Sequence, residues 1–290
     1  MSSLANYIQL TKPTIVLLVV ITAFATLAAQ GMLFESPFQA LAIVVAIGLA
    51  AGSANAFNQF IDRDIDSVMN RTKKRRPIPM GKIKPAAALV FASILGAGST
   101  FYLWFFWNPL TAIISAATIV YYTVIYTMLL KRRHHYNIVI GGAAGAAGPL
   151  IAWAAVEGNV SVYAWILFGL IFMWTPAHFW ALALAIKDDY AQVQVPMLPV
   201  VRGTGRTRWE IVLYTLSLLP LSFVPYFYGY AGRAFLMAAV GLWLWYIYQT
   251  FKQMKLKMKK AYMKLFYVSI LYLFLLFLAV AVDGAVRFYG

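Results

Sequence analysis

The segment Asn58-Gln-Phe-Ile-Asp62-Arg-Asp64-Ile-Asp66 carries three oxygen-bearing side chains at four-residue spacing. On a helix, Asn58, Asp62 and Asp66 stack along one face with a slight drift. Asp64 is turned away from Asp62 by about 200° of helical rotation. Hard oxygen donors of this kind suit Mg²⁺, which takes one or two carboxylates together with substrate phosphates. The competing reading is a solvated helix end whose carboxylates pair with Arg63 and Arg71. The next residues, Met69-Asn70-Arg71-Thr72-Lys73-Lys74-Arg75-Arg76-Pro77, set a dense cation run beside the carboxylates. The two together make a natural diphosphate site: a metal bridges carboxylate to phosphate, and Arg71 with Arg75 or Arg76 neutralises the remaining charge. Part of the run serves only as a topology signal.

A second acidic pair lies in Lys187-Asp188-Asp189-Tyr190. If the second and sixth apolar helices are neighbours, the two acidic clusters face each other and hold two Mg²⁺ around one diphosphate. The alternative is an interfacial helix cap. Upstream stands Trp174-Thr-Pro-Ala-His178-Phe-Trp180. His178 precedes Asp188 by roughly 15 Å of helix, deeper in the apolar layer. A histidine among Trp and Phe can ligate haem iron, carry protons or hydrogen-bond a neighbouring helix. His134 and His135 follow Lys131-Arg132-Arg133 and read as solvated surface residues.

The elements that position these groups follow from composition. Of 290 residues, 62% are hydrophobic and only 11% charged. A soluble domain carries about 25% charge, so an all-α integral membrane protein is the class left. Cysteine is absent, which excludes disulfides, thiolate chemistry, zinc–cysteine sites and iron–sulfur clusters. Nine runs reach the roughly 20 apolar residues that a spanning helix needs, at about 13–34, 40–60, 85–106, 109–130, 137–156, 162–186, 209–229, 233–251 and 264–286. The first is too long, and its leading segment too poor in cations, for a secretory signal; it reads as a retained helix. All of the 24 Lys and Arg except Arg233 and Arg287 fall on one side of the alternating loops. Nine spans with the N-terminus cytoplasmic and the C-terminus outside satisfy the positive-inside rule. The formal charge of +15 therefore reflects topology and contact with anionic lipid rather than nucleic acid. The lysines between 252 and 264 belong to that class.

At these residues the chain resembles the UbiA family of intramembrane prenyltransferases, and within it the protoheme IX farnesyltransferase (haem O synthase) branch. Tyr7-Ile-Gln-Leu-Thr-Lys12-Pro13 is similar to the family's opening, and Asn58 to Asp66 with Met69-x-Arg71-Thr72 to its first aspartate motif. Tyr126-Thr127, Leu130-Lys131-Arg132-Arg133 and Asn137-Ile-Val-Ile-Gly141-Gly142 extend the likeness through the fourth and fifth spans. The stretch around His178, then Asp188-Asp189-Tyr190 and Val195-Pro-Met-Leu-Pro199, marks the haem branch. Three positions depart from the pattern. The wider family's DxxxD second motif is missing, since Gln192 and Val193 stand four residues after Asp188 and Asp189. The basic run is one residue longer before its proline. Ala177 stands where a second proline is usual.

The resemblance implies one UbiA-type membrane domain over 1–290, in the inner (plasma) membrane with its active site toward the cytoplasm. It implies farnesyl transfer from farnesyl diphosphate to a vinyl group of haem B, giving haem O and pyrophosphate. Asp62, Asp66, Asp188 and Asp189 would be catalytic. With Asn58 they would hold Mg²⁺, while Arg71, Arg75, Arg76 and Lys131 would bind diphosphate and His178 would contact haem. The bilayer and a downstream haem A synthase are the further partners it suggests. Rival classes are a quinone-precursor prenyltransferase, a secondary transporter, and a lipid- or haem-binding protein without turnover. The Asn58–Asp66 pattern does not recur in the second half, as an inverted-repeat transporter would favour.

Overall fold

Proline opens several of the helices, at the first-turn positions where its missing N–H costs nothing. The computed structural model describes residues 3–290. In chain order the helices are α1 (Leu4–Leu10), α2 (Pro13–Ala29), α3 (Met32–Glu35), α4 (Pro37–Ile61), α5 (Arg63–Val68), α6 (Pro85–Phe106) and α7 (Pro109–Val120). α7 runs into a π-helix, Tyr121–Leu130. There follow α8 (Asn137–Ala146), α9 (Gly148–Glu157), α10 (Val162–Ala185), α11 (Lys187–Gln192), α12 (Leu198–Val201), α13 (Gly203–Phe227), α14 (Arg233–Leu256) and α15 (Lys259–Tyr289). No strand occurs among the described residues.

Eight helices, with α7 joined to its π-helix and α8 to α9, are long and apolar enough to cross a membrane. The first apolar run is met instead by α1 and α2, bent by 60° at Lys12; taken as one span, the pair makes nine. The chain is thus a multi-pass helical membrane protein. α4, the α8–α9 span and α10 bury well over half of their apolar stretch, whereas α6, α7 and α14 bury less than a third. The latter present Leu, Ile and Phe outward, as lipid-facing helices do.

The helices close into a ring. α2 packs on α4, α4 on α6 and α6 on α7; the π-helix leads to α8, α8 packs on α10, and α10, α13, α14 and α15 follow in turn. α15 then packs back on α2. That closure needs a small residue. A Cβ on Gly284 would lie 2.5 Å from the Ala28 carbonyl oxygen, so only glycine lets the backbones meet. The second and sixth spans, α4 and α10, are not packed along their lengths: α9 lies against both. The expectation that they are neighbours is therefore replaced by contact between the loops that follow them.

Candidate functional site

α4 delivers the first acidic face. Asn58 and Asp62 lie one turn apart, and the Asp66 N–H bonds the Asp62 carbonyl at 2.8 Å, so helical spacing continues into α5. None of the three is more than 2% exposed. Asn58 Nδ2 donates to Asp62 Oδ2 at 2.8 Å and to Thr127 Oγ1 at 3.2 Å. Three cations from distant segments meet this face. Lys12 Nζ donates to Asn58 Oδ1 at 2.6 Å, the Lys131 ammonium pairs with Asp62, and the Arg76 guanidinium pairs with Asp66. Three basic side chains thus converge on two carboxylates. Buried ions are stable only when compensated, and here each carboxylate meets at least one basic side chain.

Each cation has its own positioning device. Lys12 sits at the α1–α2 break in the left-handed region, φ 53, a strained conformation for a residue with a side chain. Gln59 Nε2 holds that turn by donating to the carbonyls of Leu10 and Gln9 at 2.9 and 3.1 Å. Lys131 follows the π-helix, and its own N–H bonds the Tyr126 carbonyl five residues back at 2.8 Å. The wider turn rotates the last residues relative to an α-helix, and such segments are frequent at functional sites. Gly141 makes room for it: a Cβ there would stand 2.2 Å from the Tyr126 ring. Arg76 is presented by the 69–76 loop, where Thr72 Oγ1 donates to the Asp66 carbonyl at 3.0 Å. Arg71 and Arg75 are exposed, so it is Arg76 that turns inward.

Asp64 points away, as its spacing predicts. It takes both Arg132 amino groups at 2.7 Å, and that guanidinium holds its carboxyl below the usual carboxylate range. Arg132 Nη2 also stands 3.8 Å from Asp62 Oδ1, beyond hydrogen-bond reach. Arg63 lies over the Phe60 ring at 4.7 Å and donates to its carbonyl; among the described residues neither Arg63 nor Arg71 forms the side-chain ion pairs expected of a merely solvated helix end.

The second acidic pair divides. Asp189 accepts the Arg71 backbone N–H at 3.1 Å and Asn70 Nδ2 at 3.2 Å, tying α11 to the first cluster's loop. Asp188 faces outward with its side chain 78% exposed and meets Lys259 at 2.6 Å, a pairing that lowers its carboxyl pKa. Among the described residues, no three Asp, Glu or His side chains converge as a ready-made metal centre. The donor set nevertheless suits a hard cation that takes its other ligands from phosphate. Asp62 Oδ1 is fully buried without a hydrogen-bond partner among the described residues, while Oδ2 of the same carboxylate accepts from the Asn58 amide.

His178 stands apart on α10. It is 5% exposed and lies between the rings of Trp174 and Phe266, with centroids at 4.2 and 4.4 Å. Its Nδ1 is 2.7 Å from Ser269 Oγ on α15. Sequence reasoning missed Lys12 and Arg132 as site residues, counting both as topology charges. The proline after Lys12 was the available signal, since it starts a helix and leaves the lysine at a break.

The UbiA prenyltransferase family model matches residues 18–282. A protoheme IX farnesyltransferase of Gloeobacter violaceus is 47% identical over 254 residues, covering 88% of this chain and 83% of the relative. One from Alkalilimnicola ehrlichii is 45% identical over 83% of this chain and 80% of its own. Among solved structures, a digeranylgeranylglyceryl phosphate synthase superposes with a TM-score of 0.78 at 20% identity, covering 98% of this chain and 99% of the other. A UbiA homologue from Archaeoglobus fulgidus bound to DMAPP and Mg²⁺ does so with a TM-score of 0.66 at 16% identity, covering 96% and 99%.

Proposed function

The chain belongs to the UbiA prenyltransferase family, and we propose that it transfers the farnesyl group of farnesyl diphosphate to a vinyl group of haem B, giving haem O and pyrophosphate. The observation that carries the acceptor is the match, over most of both chains, to protoheme IX farnesyltransferases. The cation-rich pocket around Asn58, Asp62 and Asp66 supports the donor.

The C1–O bond of the allylic diphosphate breaks with its electrons leaving on oxygen. Lys12, Arg76 and Lys131 are already assembled where that charge would collect, so little reorganisation is needed as it develops. Arg71 and Arg75 at the mouth, and Arg132 once it releases Asp64, add further neutralising groups. Mg²⁺ bound by Asn58, Asp62 and Asp66, with Asp189 from α11, would supply positive charge to the departing diphosphate; Asp188, turned outward to Lys259, is not placed to join them. The apolar inner helices keep water from an allylic cation until the vinyl π electrons reach it. The new bond to C1 leaves the positive charge on the other vinyl carbon, where water adds as the hydroxyl and gives up its other proton to solvent. The Lys/Arg distribution supports a pocket that faces the cytoplasm, in the plasma membrane on this reading. One domain spans 1–290, and a haem A synthase would be the downstream consumer.

Incubating membranes with farnesyl diphosphate and haem B, and weighing the extracted haem by mass spectrometry, tests this reading. Haem O should form, should be lost on chelation, and should be lost in Asp62→Ala protein that still inserts. Prenylation of 4-hydroxybenzoate in place of haem would overturn the acceptor. Near wild-type turnover in Asp62→Ala would overturn the metal assignment.

A further inference from the structure

Of the three aspartates between 62 and 66, Asp64 is the one that turns out of the pocket, with its side chain 61% exposed. It nevertheless takes both terminal nitrogens of Arg132 at 2.7 Å, a paired contact that fixes the plane and direction of the guanidinium. An exposed ion pair adds little to stability, so this geometry calls for another reason.

That reason lies at Asp62. Lys131 and Asn58 both meet Oδ2 of its carboxylate, whereas Oδ1 is fully buried with no hydrogen-bond partner among the described residues. A buried carboxylate oxygen without a donor is costly. Arg132 Nη2 stands 3.8 Å from it, so a shift of about 1 Å would complete a hydrogen bond. Attraction to an ion buried away from water is stronger than attraction to one in water. The guanidinium should therefore fall onto Asp62 unless something holds it back. Packing does not: open clefts of about 370 and 420 Å³ flank the Arg132–Asp64 pair, one beside Ile61 and Met128, the other beside Ile65, Val68 and Val193. The Ile61 carbonyl takes one bond from Nη2 at 3.2 Å. The two bonds to Asp64 supply the rest of the restraint.

We propose that Asp64 is a positioning residue that holds Arg132 off Asp62, so that Asp62 Oδ1 stays open to a divalent cation. This rests on the metal half of the reading above and not on the haem acceptor.

Mn²⁺, followed by electron paramagnetic resonance, is titrated into the full-length protein in detergent with inorganic pyrophosphate present. Asp64→Ala should weaken Mn²⁺ binding about tenfold, the scale on which metal sites lose affinity when a supporting group is removed. Asp64→Glu should restore it. In Arg132→Gln protein, which has no guanidinium to fall inward, adding Asp64→Ala should leave the affinity of that background unchanged. Equal weakening in both backgrounds would mean that Asp64 acts through its charge alone, and overturns the proposal. So does an Asp64→Ala protein that binds Mn²⁺ as tightly as the wild type. A wild-type protein that takes up no Mn²⁺ with pyrophosphate overturns the metal assignment and this proposal together. An Arg132-dependent loss in a protein that makes no haem O supports the proposal and removes the acceptor reaction instead.

Discussion

Lys12 is the residue whose environment says most. A half-buried ammonium on a left-handed backbone is costly twice over, in desolvation and in conformation. Both costs are offset by contact with Asn58 and by the carboxylates behind it. Replacing it with methionine keeps the apolar stem and deletes the charge, which leaves two cations against two carboxylates. Lys12→Met should lower kcat/KM for farnesyl diphosphate by about 10²-fold, the scale of one lost charge-stabilising donor. Haem affinity should be unchanged. Steady-state kinetics with each substrate varied separately checks this; an equal loss on both sides would mean the lysine is structural. Asn58, Asp62 and Asp66 were legible as one face because their spacing is a property of the local helix. Their partners were not. Lys12 is 46 residues from Asn58, and Lys131 is 69 from Asp62, so packing alone decides that they meet.

The π-helix over Tyr121–Leu130 shows how an irregular element serves a site. Nothing in its Tyr- and Leu-rich sequence marks the change of winding, because apolar periodicity averages over such a short stretch. The partner explains it better: Gly141 on α8 leaves a gap that the Tyr126 ring fills. Gly141→Ala should push that ring aside and disturb the turn that aims Lys131. An overpacking cost of about 1–3 kcal/mol is expected. The protein should unfold at lower temperature in detergent, and turnover at a permissive temperature should drop more than tenfold. A lowered unfolding temperature with normal turnover would separate the winding from the site. The acidic pair at α11 illustrates the opposite case. Its existence was plain in the chain, but the outward turn of Asp188 and inward reach of Asp189 depend on where the 70–71 loop lies.

A ring of helices is only as secure as its closing contact, and here that contact joins the last helix to the first spanning one. Gly284→Val would force the α15 and α2 backbones apart at Ala28. Association in lipid relies on such close packing rather than on the hydrophobic effect. The variant should show the largest fall in unfolding temperature of those named here, and activity should fall with it, since α15 also carries Ser269, the partner of His178. Orientation across the bilayer is checked independently. The chain has no cysteine, so a single cysteine at Lys73 or at Arg233 is labelled without background. An impermeant maleimide should reach the first only from the cytoplasm and the second only from outside; the reverse pattern would invert the topology.

The ordering of apolar runs, the helical class and the shared face of Asn58, Asp62 and Asp66 could be read from the chain alone. They rest on backbone hydrogen bonds a few residues long and on the thickness of a bilayer, both of which leave a periodic imprint. The choice of Arg76 over Arg75, the entry of Lys12 into the pocket, the separation of α4 from α10 by α9, and the pairing of His178 with Ser269 required the folded molecule. Each is a contact between segments far apart in sequence, selected by how close-packed helices settle against one another, and no local pattern records that.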